Sequence, residues 1–322
     1  TYYYYPKARH IFGKIRRFLH IYRLAFNAYK AENGKPDIIH VSVLTRHGFV
    51  ARLLQILYGI PYVVTEHWTR YYRKPFRNGL HKALTRSMAK HASCLMPVSE
   101  NLAEAMRACG LRGHYEVVRN VVDDFFYLKN ASSDAVLPPD GIKTILHICC
   151  FCEEQKNNFG LLRAVKELSR ERNDFRLIMV GTGVDFDTTR NYAEKLRLTR
   201  EKVEFMGKIQ PPEVKQQLEK SCFLVSFSNY ETASVVFYES LACGKPVVVT
   251  AVGGVTEIMC PQNGILVKAG DEADLKNALS RMLDTYQTYD SADISHRAEE
   301  FSFARVGEKY SRIYQSAVSK SK

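Results

Sequence analysis

The chain has 322 residues, 46% apolar and 25% charged, which suits two ordinary domains with full cores. No apolar run reaches about 18 residues, which excludes a membrane-spanning helix. The formal charge of +12 lies wholly in the first part: residues 1–127 carry 20 Lys+Arg against 8 Asp+Glu, and residues 128–322 carry 26 of each. Nucleic acid, anionic lipid or a phosphorylated partner would each suit such a region, but no motif with base-stacking aromatics is present, so nucleic acid is not expected.

The start, Thr1-Tyr2-Tyr3-Tyr4-Tyr5-Pro6, lacks the charged-then-apolar order of a secretory signal. From Arg9 to Lys30 apolar residues recur at helical steps (Phe12, Ile15, Leu19, Tyr22, Phe26), flanked by Lys14, Arg16, Arg17 and Arg23. This predicts a basic amphipathic helix, either packed on a sheet with a solvated basic face or lying on a membrane surface. Strands are then predicted at Asp37–Val41, Ile60–Thr65 and Cys94–Val98, with helices at Gly48–Tyr58, Leu80–Ala92 and Glu100–Cys109, the last capped by Ser99. Tyr115–Val118 closes this half. His40 and His67 are placed at strand ends, His67 between Glu66 and Trp68.

Residues 129–141, rich in Ser, Asp and Pro, read as a linker. A second series follows: strands at Thr144–Ile148, Arg176–Val180, Val203–Phe205, Cys222–Ser226, Pro246–Thr250 and Gly264–Val267, and helices at Gly160–Arg170, Pro212–Lys220, Ala273–Leu283 and Phe303–Val318. Alternating strands and helices predict parallel α/β sheets, with ligands just beyond the carboxyl ends of the strands. His147, inside a strand, reads as structural. Eight scattered cysteines, several in apolar runs, suit buried free thiols in a reducing compartment. Cys149-Cys150-Phe151-Cys152 resembles half of a zinc site, but no second pair has matching spacing. No Asp-x-Asp lies at a strand end, so no metal is expected.

The most informative segment runs from Asn229 to Pro246. Glu231 falls in a loop and Glu239 in the helix that follows, eight positions on. A helix starting near Ser234 points its free N–H groups at whatever sits beside Glu231, which makes an anion site. Two carboxylates flanking an anion site suit a sugar, a diphosphate and a ribose in a row.

This pattern resembles the Glu-x7-Glu signature of the retaining glycosyltransferases of family GT4, and the resemblance runs from about Lys35 to about Gln315. It implies the GT-B fold: two Rossmann-like doubly wound domains facing across a cleft. Residues 1–128 would form the acceptor-side domain, 142–302 the nucleotide-sugar domain, and 303–322 a helix crossing back to the first. It implies that Glu231 accepts hydroxyls of the donor sugar and that Glu239 takes the ribose hydroxyls. Backbone N–H groups of Thr232, Ala233, Ser234 and Val235 would hold sugar and phosphate oxygens, Gly181 and Gly207 would border the donor, and Gly253-Gly254 would bring backbone close to it. Lys156 matches the lysine that neutralises the diphosphate, His67 a histidine on the donor sugar, and His40 the acceptor side. Two positions depart from the family: Phe151 stands where an arginine is expected and Asn157 where a glycine is. The family's first βαβ unit, roughly 70 residues, would precede residue 1.

The expected activity is transfer of a hexose from a UDP- or GDP-sugar, without metal or other cofactor, to a glycan or lipid-linked glycan in cell-surface polysaccharide synthesis. Its expected place is the cytoplasm, peripheral at the inner membrane face. The alternatives are a GT-B sugar-nucleotide epimerase, which needs no acceptor, and a non-catalytic sugar-nucleotide-binding module.

Overall fold

A computed structural model describes residues 10–73, 75–128 and 141–320. The expected linker therefore lies outside the described residues, apart from Gly141. The chain divides into two compact units: residues 1–97, 103–118 and 309–322 form the first, and residues 98–102 and 119–308 the second.

The first unit opens with α1 (Ile11–Asn33), which ends at Gly34 (φ 77°). It continues through β1 (Ile39–Ser42), α2 (Leu44–Tyr58), β2 (Tyr62–Glu66), a 3-10 turn at Thr69–Tyr72, α3 (Gly79–His91) and β3 (Cys94–Pro97). The strands pair in parallel in the order β1-β2-β3. Val63, Val64, Leu95 and Met96 are fully buried, as expected of parallel strands covered on both faces. α2 begins at Leu44, four positions earlier than the periodicity predicts. The reason is tertiary: the Leu44 N–H donates to the Glu66 carboxylate of β2 at 3.1 Å, so another strand supplies the cap. Tyr115–Val118 contributes only a parallel bridge between Tyr115 and Leu95.

α4 (Glu100–Ala108) begins in the second unit and ends in the first. The second unit then runs β4 (Lys143–Ile148), α5 (Glu153–Lys156), α6 (Asn158–Leu168), β5 (Phe175–Val180), α7 (Phe186–Lys195), β6 (Val203–Gly207) and α8 (Pro211–Lys220). After these come β7 (Phe223–Ser226), α9 (Val235–Ala242), β8 (Val247–Thr250), β9 (Gly264–Val267), α10 (Glu272–Thr285), α11 (Ser291–Arg297) and α12 (Phe303–Ser319). Residues 309 onward of α12 belong to the first unit. The polar helix α7 and the short α11 carry too few apolar residues for their periodicity to show; α11 is held by Asp290, which accepts from the Ala292 and Asp293 N–H groups.

The six strands pair in parallel in the order β6-β5-β4-β7-β8-β9. Counted within the unit this is 3-2-1-4-5-6, the Rossmann order, whose connections reverse direction between β4 and β7. Phe223, Val225, Val248, Leu161, Leu177 and Met179 form part of its buried core. Among the described residues, no helix is long and apolar enough to cross a membrane.

Candidate functional site

The reversal between β4 and β7 opens a crevice beyond their carboxyl ends, where two loops meet. The first leads through Cys149–Cys152 into α5 and brings Lys156; the second leads through Phe227–Tyr230 and brings Glu231. Lys156 is 9% exposed and Glu231 6% exposed, and the Lys156 ammonium donates to a Glu231 carboxylate oxygen. The Ser228 hydroxyl donates to the same oxygen at 3.2 Å. Burial alone would pull the Lys156 pKa down, but the charge and hydrogen bond of Glu231 outweigh it and leave the pKa raised. The pair is thus two charges held out of water, each compensated by the other. His147 lies within β4: its ring nitrogens meet the Val225 carbonyl and Asn158 Oδ1, both at 2.9 Å, and burial lowers its pKa, so its role is structural.

α9 begins one residue after Ser234, which makes no side-chain cap, so the first N–H groups of the helix are left for another acceptor. Ser226, Ser228, Glu231, Ser234 and Thr250 line a small cavity beside this end. Glu239 lies within α9, half-buried, and among the described residues its carboxylate has no hydrogen bond or ion pair. Burial pushes its pKa up to about 7. A half-buried carboxylate without a protein donor is suited to ligand hydroxyls.

The glycines serve this site through the protein backbone. A Cβ on Gly253 (φ 56°) would stand 1.7 Å from the Glu231 carbonyl, and one on Gly254 2.5 Å from the Thr232 carbonyl. The pair opens a 3-10 turn, Gly253–Glu257, pressed against the Glu231 loop, and the Gly254 N–H donates to the Thr232 carbonyl at 3.1 Å. Gly181 (φ 125°) likewise packs on backbone, its Cβ position 1.9 Å from the Cys149 carbonyl, and its N–H donates to the Gly207 carbonyl at 2.8 Å. Gly207 closes β6 with φ 70°.

Three residues that the motifs do not single out bond here, one to the Glu231 loop and two to each other at the end of the Gly253–Glu257 turn. Asn120 donates its amide to the Ala233 carbonyl at 3.1 Å. Glu257 accepts from the Glu100 and Asn101 N–H groups at 3.1 and 2.8 Å, capping α4, and from Arg119 at 3.1 Å. Their only sequence signal is that they follow predicted strands or turns.

Phe151, where a second cation is expected, is 0% exposed. Its ring meets Phe186 of α7 edge-on at 4.9 Å and Phe205 of β6 at 6.2 Å. The position points into the core and supplies nothing to a ligand.

In the first unit, Glu66 ends β2 with 0% exposure. Besides Leu44, it accepts from the His67 and Trp68 N–H groups at 3.1 and 3.0 Å and from the Tyr71 hydroxyl at 3.1 Å. Burial pushes its pKa up and these donors pull it part of the way back. The carboxylate thereby fixes the loop carrying His67, which does lie just after a strand. Beside it, Val43 adopts φ 65°, a strained conformation for a β-branched residue. His40 is different from expectation: β1 continues to Ser42, so His40 is not at the strand's end. Both its ring nitrogens are engaged, one with Thr65 Oγ1 at 2.7 Å and one with the Tyr314 hydroxyl at 2.8 Å, which ties β1 to α12.

Known proteins resemble this chain in sequence and in fold. Residues 133–300 match the family described as "Glycosyl transferases group 1", and residues 4–121 match the "Glycosyl transferase 4-like domain". N-acetyl-alpha-D-glucosaminyl L-malate synthase of Bacillus anthracis is 25% identical over 296 residues, 88% of this chain and 76% of that protein. Sucrose-phosphate synthase of Thermosynechococcus elongatus superposes with a TM-score of 0.80 at 20% identity, covering 98% of this chain and 81% of that one. Anabaena HepE in complex with UDP superposes with a TM-score of 0.78 at 18% identity, covering 91% of this chain and 81% of that one. The architecture is therefore the α/β GT-B fold with two Rossmann-like domains.

Proposed function

The chain belongs to the glycosyl transferases group 1 family, and from that premise we propose that it moves a hexose from a UDP- or GDP-sugar to a glycan or lipid-linked glycan acceptor with retention of configuration. The observation that carries the reading is the buried Lys156–Glu231 pair at the reversal of the Rossmann sheet, beside an uncapped helix start. That HepE was solved with UDP supports the nucleotide class. The match of both units to glycosyl transferase descriptions gives the epimerase and the non-catalytic module no support.

In this reading the diphosphate displaces Glu231 from Lys156 and takes the ammonium as its counter-charge. Glu231, released, accepts hydroxyls of the sugar, and the N–H groups of Thr232, Ala233, Ser234 and Val235 hold sugar and phosphate oxygens. Glu239 accepts the ribose hydroxyls. His67, in the first unit, takes the role that the resemblance implies, a hydrogen bond to the donor sugar. The bond between the anomeric carbon and the diphosphate oxygen breaks, and the acceptor oxygen bonds to the same face of that carbon. The acceptor proton passes to the departing diphosphate. Catalysis then rests on positioning and charge stabilisation, without metal or cofactor. The basic first unit serves an anionic membrane face or a phosphorylated acceptor, in polysaccharide synthesis on the cytoplasmic side.

The direct test supplies labelled UDP- and GDP-sugars with and without lipid-linked acceptor and reads product and anomer by NMR. Acceptor-dependent transfer with the donor's configuration is expected. Failure to bind either nucleoside diphosphate, or conversion of the donor to an epimer without acceptor, overturns the reading.

A further inference from the structure

We propose that Cys94, His114 and Glu116 bind one divalent transition-metal ion of the zinc type, at the outer edge of the sheet in the first unit. This site is separate from the proposed transfer chemistry and serves to lock β3 to the segment that follows α4.

Register brings the three together. Tyr115 bridges Leu95 in parallel, with the Leu95 N–H donating to the His114 carbonyl at 2.8 Å and the Glu116 N–H to the Leu95 carbonyl at 3.0 Å. Side chains alternate along extended backbone, so Cys94, His114 and Glu116, each one position from the bridged pair, share a face. Their Sγ, imidazole nitrogen and carboxylate oxygen lie within 4.8 Å of one another. Among the described residues this is the one group of three His, Cys, Asp or Glu side chains that converges so.

The donor set fits that metal class. A soft thiolate and a borderline imidazole beside one hard carboxylate suit zinc and cobalt, whereas magnesium and calcium take oxygen ligands. Tetrahedral bonds of about 2.0–2.3 Å put neighbouring donors about 3.3–3.7 Å apart. The donors must therefore close by about 1 Å. Cys94 is fixed in the core, but His114 is exposed and Glu116 half-buried, so both can rotate inward. The competing partner of Glu116 is Arg312 at 3.5 Å, whose side chain is 70% exposed, a weak surface pair. Water completes the fourth position, and the thiol proton leaves to solvent as the sulfur–metal bond forms. His114 and Glu116 lie 20 and 22 positions beyond Cys94, so only the fold reveals the set.

Cobalt(II), titrated into the full chain after chelator treatment, tests this through the thiolate-to-cobalt charge-transfer band in the near ultraviolet. One equivalent is expected to give the band, zinc to displace it, and zinc to raise Tm. Cys94→Ser should abolish the band. His114→Ala and Glu116→Gln, on exposed and half-buried side chains that the fold does not need, should weaken binding about tenfold or more. Replacing Cys149, Cys150 and Cys152 with Ser should leave it unchanged. No band in the parent, a band that survives Cys94→Ser, or unchanged affinity in His114→Ala overturns the proposal, whatever becomes of the transfer reaction.

Discussion

Lys156 and Glu231 each stabilise what would otherwise be an isolated charge in a nearly dry crevice. Removing one partner of such a pair costs about 3–5 kcal/mol, because the other is left uncompensated. Lys156→Ala and Glu231→Ala should each lower stability by about that amount in chemical denaturation. The double variant should be less destabilised than the sum of the two, a coupling that exposed ion pairs do not give. Lys156→Ala should also weaken nucleoside diphosphates more than monophosphates in calorimetry. Glu239 allows a sharper test. Its pKa is raised from 4.5 to about 7, so the folded protein holds a proton there that the unfolded chain has lost. Its contribution to stability is full below about pH 4.5 and is lost as pH rises through about 7. Ribose hydroxyls favour the ionised form, so binding expels that proton. UDP or GDP affinity should then rise about tenfold per pH unit below the pKa and level off above it. Glu239→Gln should flatten this profile; an equally steep profile in the variant would remove Glu239 from the ribose site.

At the scale of elements, loops after strands carry the chemistry and neighbouring strands hold the loops. Gly253→Ala should displace the Glu231 backbone that it touches, lowering turnover and Tm together, because the Cβ has no room to shift and φ is positive. Glu66→Gln turns its amide nitrogen either to the Leu44 N–H and Tyr71 hydroxyl, which share one carboxylate oxygen, or to the His67 and Trp68 N–H groups, which share the other, so buried donors lose their acceptor. A cost of about 1–3 kcal/mol is expected in denaturant unfolding. Such dependencies separate what the sequence made legible from what it did not. Buried strands such as Val247-Val248-Val249 are legible because their period is local, and the candidate site residues Lys156, Glu231 and Glu239 are legible through the motifs that carry the family resemblance. The start of α2 is not, since its cap comes from 22 positions further along the chain. α7 stayed hidden because polar residues outnumber its two buried ones, Thr189 and Ala193. The role of Gly253 was invisible because its neighbour, Glu231, meets it only through the fold. His40 looked like a ligand-end residue because the end of β1 was placed at Val41 and not Ser42.

For the whole molecule, the uneven charge is the main handle. The excess of +12 in residues 1–127 should draw the protein to anionic surfaces at low ionic strength. α1 combines Arg16, Arg17 and Arg23 with Phe12, 82% exposed, and exposed Ile15, so charge and apolar contact can act together. Each basic residue near such a surface contributes about 1 kcal/mol, screened within a Debye length of about 10 Å at 0.1 M salt. Liposome sedimentation should show binding to anionic vesicles at low salt, little at high salt and none to neutral vesicles. Changing Arg16, Arg17 and Arg23 to Glu should abolish it without altering nucleotide affinity. A parent chain that ignores anionic vesicles would leave the basic face to solubility or to a soluble acceptor.

Phe151 carries a consequence for how this site can be altered. In the resembling enzymes two cations share the diphosphate, so either can be weakened and partly covered by the other. Here the position expected to hold the arginine has joined the core with Phe186 and Phe205. Phe151→Arg would set a guanidinium against the Phe186 and Phe205 rings and should lower stability. If Lys156 holds the diphosphate as proposed, any route by which selection or engineering retunes donor preference has to leave that lysine untouched.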